Sequence, residues 1–190
     1  MTARIAAVAL IVSVIFFRVA LALAAPEFSG YAPLAALVLG AAVLLPKARL
    51  AWLPAAAFLA SDLILNAFVY KTAAFQSFVW VNLVFYAVLF VAGINLSRVS
   101  SLALPYLGSS LAAAFVFYVV ANTIAWLGSP AYAKDLAGLI QANTTGLPGF
   151  PPAWIFLAKS ILGNAAFGGL FLLALAPMRQ TAPAAAQARA

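Results

Sequence analysis

The sequence predicts an all-α protein, a bundle of six transmembrane helices with both termini in the cytoplasm. Of its 190 residues, 67% are hydrophobic and only 7% are charged. A soluble domain of this size could not give itself a polar exterior from so few polar side chains. Apolar stretches of about 18 residues or more follow one another along the chain, and that length crosses a bilayer. The alternating pattern of a transmembrane barrel does not occur.

The predicted spans are separated by Pro, Gly and charged residues. In chain order they cover residues 3–25, 32–45, 50–70, 76–96, 102–127 and 153–176. The first span resembles a signal peptide with a cleavage site at 22–24, but its apolar run is long and Arg18 interrupts it, so we treat it as a helix. The connection 128–152 is long enough to be functional. We expect one membrane domain, residues 1–177, and a disordered, Ala-rich cytoplasmic tail, residues 178–190.

The basic residues predict how the bundle is oriented. With six spans, both termini lie on the same side of the membrane. That side carries Arg4, Lys47, Arg49, Arg98, Arg179 and Arg189. The opposite side carries Lys71 and Lys134. Because basic loops tend to stay in the cytoplasm, we expect cytoplasmic termini and an outward-facing 128–152 loop.

The composition excludes several classes of function. The chain contains no Cys and no His, which excludes disulfides, thiolate metal sites and catalysis by Cys or His. It has only three acidic residues, and it contains no catalytic motif and no phosphate-binding glycine loop. The net charge of +7 is scattered along the chain, so nucleic acid is not an expected partner. We therefore expect neither enzyme activity nor a cofactor.

Three charged residues interrupt the long apolar runs, and they are predicted to share a depth. At the rise of an α-helix, Arg18 lies about 21 Å beyond Arg4, and Asp62 lies about 20 Å beyond Arg49, both measured outward. Lys159 lies about 10 Å inward from the outer end of its span. All three thus occupy the outer half of a hydrocarbon core about 30 Å thick. A charge at that depth must be paired or must face a polar cavity.

The amide side chains Asn66, Asn82 and Asn122 are predicted to lie in the same layer, and Trp126 and Trp154 are predicted to lie near the outer interface. Three interpretations of the charges stay open. Arg18 and Asp62 could pair to fix helix packing while Lys159 snorkels to the interface. The charges could instead bind a ligand in an outward-facing cavity, or they could relay protons or ions. The Asn residues could simply join helices, and the Trp residues could form an interfacial belt or stack on a ligand.

Several stretches of the chain resemble a known family. They are YAPLAAL at 31–37, LP at 53–54 with SDLIL at 61–65, VVANTIAW at 119–126, and Tyr132 with AGL at 137–139 and GLP at 146–148. Together with the six-helix layout, they resemble the S components of energy-coupling-factor vitamin transporters. More specifically, they resemble S-component-like membrane proteins of uncharacterised function. The resemblance covers most of residues 18–172.

The resemblance implies a protein of the bacterial inner membrane that captures a small nutrient, such as a vitamin, from the outer face. S components pair through small residues of the first helix with a membrane coupling subunit driven by ATPases. Solitary relatives take up cobalamin, which suggests a cobalamin-like vitamin, although the Cys that some of them use to ligate cobalt is missing here. The predicted substrate-binding residues are Arg18, Asp62, Asn66, Asn82, Asn122, Trp126, Trp154 and Lys159.

The alternative function is a structural or assembly subunit of a larger membrane complex, with no ligand of its own. The two functions predict different structures. An outward pocket between the first, third, fifth and sixth spans would favour the binding protein. Packed helices with an Arg18–Asp62 contact and no cavity would favour the structural subunit.

Overall fold

The computed structural model describes residues 12, 16, 18–20, 22–24, 31, 33–44, 53–69, 71, 77–99 and 101–187. Within them the regular structure is helical and there is no strand, so the predicted all-α class is confirmed. The helices are α1 (Leu34–Leu44), α2 (Leu53–Ile64), α3 (Ser77–Leu96), α4 (Ala103–Gly128), α5 (Leu136–Ala142) and α6 (Ala153–Gln187). A π-helical turn, Leu65–Val69, extends α2. Residues 12, 16, 18–20 and 22–24 are also helical, and they are named here the N-terminal helical segment.

Within the described residues, three helices are long and apolar enough to cross a membrane. The qualifying stretches are Val79–Leu96 in α3, Ala103–Gly128 in α4 and Ala153–Leu173 in α6. The shorter apolar stretches are Leu34–Val43 and Ala55–Val69. Such lengths are those of a membrane protein, while the count of six spans and the orientation stay predictions. Much of the first predicted span and the basic residues Arg4, Lys47 and Arg49 lie outside the described residues.

The end of the membrane domain also stays a prediction. The sequence places the boundary at residue 177 and a tail beyond it. In the structure α6 continues through that position to Gln187. The 128–152 connection contains the short helix α5.

Helix α1 lies at the centre of the bundle. Residues 35–43 are all buried, and the helix is apolar on every side. A helix without a polar face lies in a protein core or in a membrane, and α1 packs against α2, α3, α4 and α6. Helix α3 approaches α1 closely at Gly93, where a Cβ atom would lie 2.5 Å from the Cβ of Ala42. Only glycine permits that approach.

Two polar side chains from other helices hold the beginning of α1. The Oδ1 of Asn164 in α6 accepts a hydrogen bond from the Ala36 N–H at 2.8 Å, and the Tyr106 hydroxyl of α4 donates to the Ala36 carbonyl at 2.7 Å. The Ala36 N–H lies in the first turn, where a helix offers no partner of its own. Asn164 is 1% exposed, so it caps α1 from inside the bundle.

Candidate functional site

A polar network joins three helical segments around Asp62. The Arg18 guanidinium forms an ion pair with Oδ1 of Asp62 through Nη2, and its Nη1 donates to the Ser61 hydroxyl. The Asn82 amide and the Tyr86 hydroxyl both donate to Oδ2 of Asp62, at 2.8 and 3.5 Å. The structure therefore brings together three of the predicted residues, Arg18, Asp62 and Asn82.

Local sequence spacing explains how the network forms. Asn82 and Tyr86 are four residues apart on α3, so they lie on one face of that helix. Ser61 precedes Asp62 on α2, and its hydroxyl donates to the Phe58 carbonyl at 2.8 Å. The predicted site did not include Ser61 or Tyr86. The four-residue spacing from Asn82 was the available signal for Tyr86, and direct adjacency to Asp62 was the signal for Ser61.

The Asp62 carboxylate has its partners inside the protein. Asp62 is 7% exposed and the Arg18 side chain is 16% exposed. A buried charge is tolerated when it is paired and hydrogen-bonded, and both carboxylate oxygens accept bonds here. The Arg18 guanidinium also lies over the Phe58 ring, 5.6 Å from its centroid. Among the described atoms, Asn82 Oδ1 is a buried acceptor of this network without a hydrogen-bond donor.

Two other predicted residues form hydrogen bonds within α4 and to the loop that follows it. The Asn122 amide donates to the Tyr118 carbonyl in its own helix at 2.8 Å. The Trp126 indole N–H donates to the Ala133 carbonyl at 2.7 Å. Both side chains thus stabilise local backbone.

The remaining predicted residues lie in the π-helical turn and in α6. Asn66 is partly buried in the π-helical turn, and Trp154 is exposed at the beginning of α6. The Lys159 ammonium lies 5.7 Å from the centroid of the Tyr31 ring. Among the eight predicted residues, Arg18 and Asn82 donate hydrogen bonds to the Asp62 carboxylate.

The loop between α4 and α6 is fastened to α4 by Lys134. Its ammonium donates to the Trp126 carbonyl and, at 2.6 Å, to the Ser129 carbonyl, and it lies 5.8 Å from the centroid of the Trp126 ring. A cation at the carboxyl end of a helix is favourable because the last carbonyls lack helical partners. Asp135 then caps α5 by accepting from the Gly138 N–H at 2.8 Å. The loop is therefore an ordered part of the fold.

A cavity of about 750 Å³ lies between α3 and α4. Its walls run from Trp80 to Ala92 along α3 and from Ser109 to Ile124 along α4, and Leu39 of α1 closes its inner side. Among the described residues that line it, none is charged and none belongs to the eight predicted binding residues. This cavity is named here the α3–α4 groove.

Small side chains and aromatic contacts shape the groove. Ala92, Ser109 and Ala113 line it near one end, where larger side chains would fill the space. Nearer its middle, the Phe85 and Phe117 rings meet across the two helices with centroids 4.7 Å apart. Sequence patterns do not reveal this feature, because its apolar lining reads in a sequence as ordinary membrane-helix surface.

The network and the groove offer different chemistry. The network is ionic and its charges are paired, while the groove is apolar. In the part of the chain that the structure describes, no three Asp, Glu, His or Cys side chains come together to hold a metal ion.

Comparison with known proteins gives a family but no characterised relative. No curated protein and no solved structure gives a significant match to the chain. A family of unknown function, DUF6580, matches residues 1–185, a range that includes both the polar network and the groove. The chain therefore belongs to the DUF6580 family.

Proposed function

We propose that the protein is a multi-pass protein of the bacterial inner membrane that captures a small, mainly apolar molecule in the α3–α4 groove for uptake from the outer face. The groove is the observation that carries this proposal. Its volume of about 750 Å³ is typical of small-molecule sites, which span about 300–1,000 Å³. It also lies between two helices that are long and apolar enough to cross a membrane.

The chemistry of the walls favours an apolar ligand. Val84, Phe85, Val88 and Phe117 line the groove, and their side chains neither donate nor accept hydrogen bonds. A ligand amide or hydroxyl placed there without a partner costs roughly 2–7 kcal/mol. A corrinoid such as cobalamin carries many amide groups and matches these walls poorly. The groove therefore favours an apolar nutrient over a cobalamin-like one.

The resemblance to S components supports an uptake role. In those transporters the first helix binds a membrane coupling subunit that is driven by ATPases. Here the N-terminal helical segment is joined to α2 by Arg18 and Asp62, and Asp62 is joined to α3 by Asn82. Because α3 forms one wall of the groove, a coupling subunit that moves the first helix would also act on the ligand site.

We assign the polar network a positioning role within this function. Tyr86, which donates to Asp62, packs against the ring of Phe85 with centroids 6.3 Å apart. Phe85 lines the groove and contacts Phe117 on the opposite wall. The network therefore fixes the α3 wall, and its charges need not contact the ligand.

Native mass spectrometry of the purified protein tests the proposal. We expect the wild-type protein to retain a small molecule, and we expect Val88→Trp, which fills the groove, to lose it. Val91→Trp is the matched control: both valines are exposed residues of α3, at 60% and 57%, but only Val88 lines the groove. Equal retention by the two variants would show that the ligand binds elsewhere.

A structural or assembly subunit is the second candidate function. The Arg18–Asp62 pair favours it, because this pair joins helices and has its partners inside the protein. Under this function the wild-type protein retains no small molecule, and Asp62→Ala reduces the amount of assembled complex. Native gel electrophoresis of solubilised membranes, with Val88→Trp as the variant that leaves assembly intact, distinguishes this function from ligand capture.

A further inference from the structure

We infer that the short helix α5 lies in the interface layer of the membrane and buries Leu136 and Ile140 among the lipids. The inference goes beyond the proposed function and does not depend on a ligand in the α3–α4 groove. Three observations on the 128–152 connection lead to it: the position of α5 beside α4, the level at which α6 begins, and the apolar side that α5 leaves exposed.

Helix α5 runs alongside the last turns of α4. At its beginning, the Ala133 carbonyl accepts a hydrogen bond from the Trp126 indole at 2.7 Å. At its end, the Asn143 carbonyl accepts one from the Tyr118 hydroxyl, also at 2.7 Å. The two donors are eight residues apart, about 12 Å along α4, and α5, with 7 residues, is about 10 Å long. The end of α5 is therefore closer to the middle of α4 than its beginning is.

The lengths of α4 and α6 differ at the end of the bundle where α5 lies. At the α-helical rise, Ala103–Gly128 of α4 is about 39 Å long and Ala153–Leu173 of α6 is about 31 Å long. At the opposite end the two stretches are level, because the Tyr106 and Phe171 rings stack with centroids 5.1 Å apart. Helix α4 therefore extends about 8 Å beyond the beginning of α6.

Helix α5 occupies the layer of this extra length. Its end is level with the beginning of α6, since the Trp154 N–H donates to the Thr144 carbonyl at 3.1 Å. The apolar stretch of α6 has the length of a hydrocarbon core, about 30 Å, and the polar interface adds about 5–8 Å on each side. The last turns of α4 and the helix α5 beside them thus fall in that interface.

The two sides of α5 differ in burial. Gly138 and Ala142, four residues apart and so on one side of the helix, are buried. Leu136 and Ile140, with the same spacing, are 72% and 55% exposed. Helix α5 packs on α4, so its exposed side faces away from the bundle, beside a helix that is long enough to cross the membrane. An amphipathic interfacial helix buries such a side about 5–10 Å into the boundary between headgroups and acyl chains.

The order of side chains along α5 matches the polarity of a lipid leaflet. Lys134 and Asp135 are exposed at the beginning of α5, beside the end of α4, where the Lys134 ammonium donates to the Trp126 carbonyl. The exposed leucine and isoleucine follow inward. Trp126 and Trp154 lie in the same layer, and indoles are enriched where membrane meets water. Charges on the water side and apolar side chains below them favour lipid as the partner of this face.

Spin labels on α5 test the inference in liposomes that contain this protein alone. The chain has no Cys, so one introduced Cys gives a single labelling site. Oxygen concentrates in lipid and a nickel chelate stays in water, so saturation EPR with the two agents reports the depth of a label. We expect the ratio of oxygen to chelate collisions to be several-fold higher at Leu136→Cys and Ile140→Cys than at the control Ala131→Cys, an exposed position before α5. The ratio should be highest at Ile140, which lies further inward.

Three results would overturn the inference. Equal ratios at the two α5 positions and at Ala131 would place the exposed side of α5 in water. Protection of both α5 labels from both agents would show that a second copy of the chain covers this side. A ratio at Ile140 no higher than at Leu136 would show that α5 does not run inward along α4.

A photoreactive lipid tests the same contact in the wild-type protein, where no substitution can disturb folding. The probe is a phosphatidylcholine with a diazirine near the glycerol end of one acyl chain. We expect tandem mass spectrometry to find label on Leu136 and Ile140 and none on the turn 129–132. Label on the α6 helix without label on α5 would contradict the inference, because the probe would then have reached the bundle but not this helix.

Discussion

Removing the Asp62 carboxylate should destabilise the protein strongly. In Asp62→Ala the Arg18 guanidinium, on a side chain only 16% exposed, loses its counter-charge, and Asn82 and Tyr86 lose their acceptor. Breaking a buried ion pair from one side costs roughly 3–5 kcal/mol. Interhelical hydrogen bonds in membrane proteins contribute less, about 0.6 kcal/mol on average, because the unfolded chain finds other partners in the membrane. We therefore expect the free energy of unfolding to fall by about 3 kcal/mol.

A double-mutant cycle isolates the pair. Arg18→Ala should cost a similar amount, because it leaves the carboxylate buried without its cation. The double variant removes both charges, so we expect it to be milder than the sum of the single variants by roughly 1–3 kcal/mol. Reversible unfolding in mixed micelles, followed by tryptophan fluorescence, measures each free energy. Asp135→Ala is the control, since this exposed carboxylate caps α5 outside the network and should cost about 1 kcal/mol.

Two results would refute this reasoning. Additive costs would show that Arg18 and Asp62 do not interact, and an unchanged stability of Asp62→Ala would show that the carboxylate is not needed for packing. Ligand retention adds a further discrimination. An Asp62→Ala protein that stays stable but loses its small molecule would identify Asp62 as a ligand contact, which is the role the sequence suggested.

Two further predictions concern the contacts of α6. Asn164→Ala should lower the free energy of unfolding by about 1–3 kcal/mol, because it leaves a buried N–H of α1 without an acceptor. Asn122→Ala, which loses only a bond within its own helix, should stay within about 0.5 kcal/mol of wild type in the same unfolding assay. Gly163→Ala should cost about 1–3 kcal/mol, since its Cβ would lie 2.0 Å from the Tyr31 carbonyl oxygen. Gly169→Ala meets nothing within 4 Å and should raise the melting temperature slightly; equal melting temperatures for the two glycine variants would show that Tyr31 does not pack on α6.

Part of the network could be predicted because hydrocarbon restricts charged side chains so strongly. A carboxylate in the middle of an apolar run has few stable arrangements, and counting residues from the helix ends placed Arg18 at the depth of Asp62. The same count placed Asn82 in that layer. The predicted depth of Trp126 did not reveal its hydrogen-bond partner, because its indole N–H donates to a carbonyl of the loop after α4. Sequence counting gives the height of a side chain in the membrane but not the direction in which it points.

The groove and the cap on α1 could not be predicted, because both depend on which apolar surfaces meet. A helix that is apolar all round has no face that identifies its neighbours, so the sequence does not show that α1 is central. The bond from Asn164 to Ala36 joins residues far apart in the chain, and no local pattern signals it. The groove likewise results from small side chains, such as Ala92 and Ala113, on helices held against α1.

The positions of network and groove on α3 separate the two candidate sites. Successive residues of an α-helix are about 100° apart, so the groove residues Val84 and Val88 are centred more than about 100° around the helix from Asn82 and Tyr86. Asp62 is not among the residues that line the groove, so a ligand held by the groove and a ligand held by Asp62 would occupy different sites. Loss of the ligand in groove variants, with retention in a folded Asp62 variant, places the site in the groove. The reverse pattern would place it at the network.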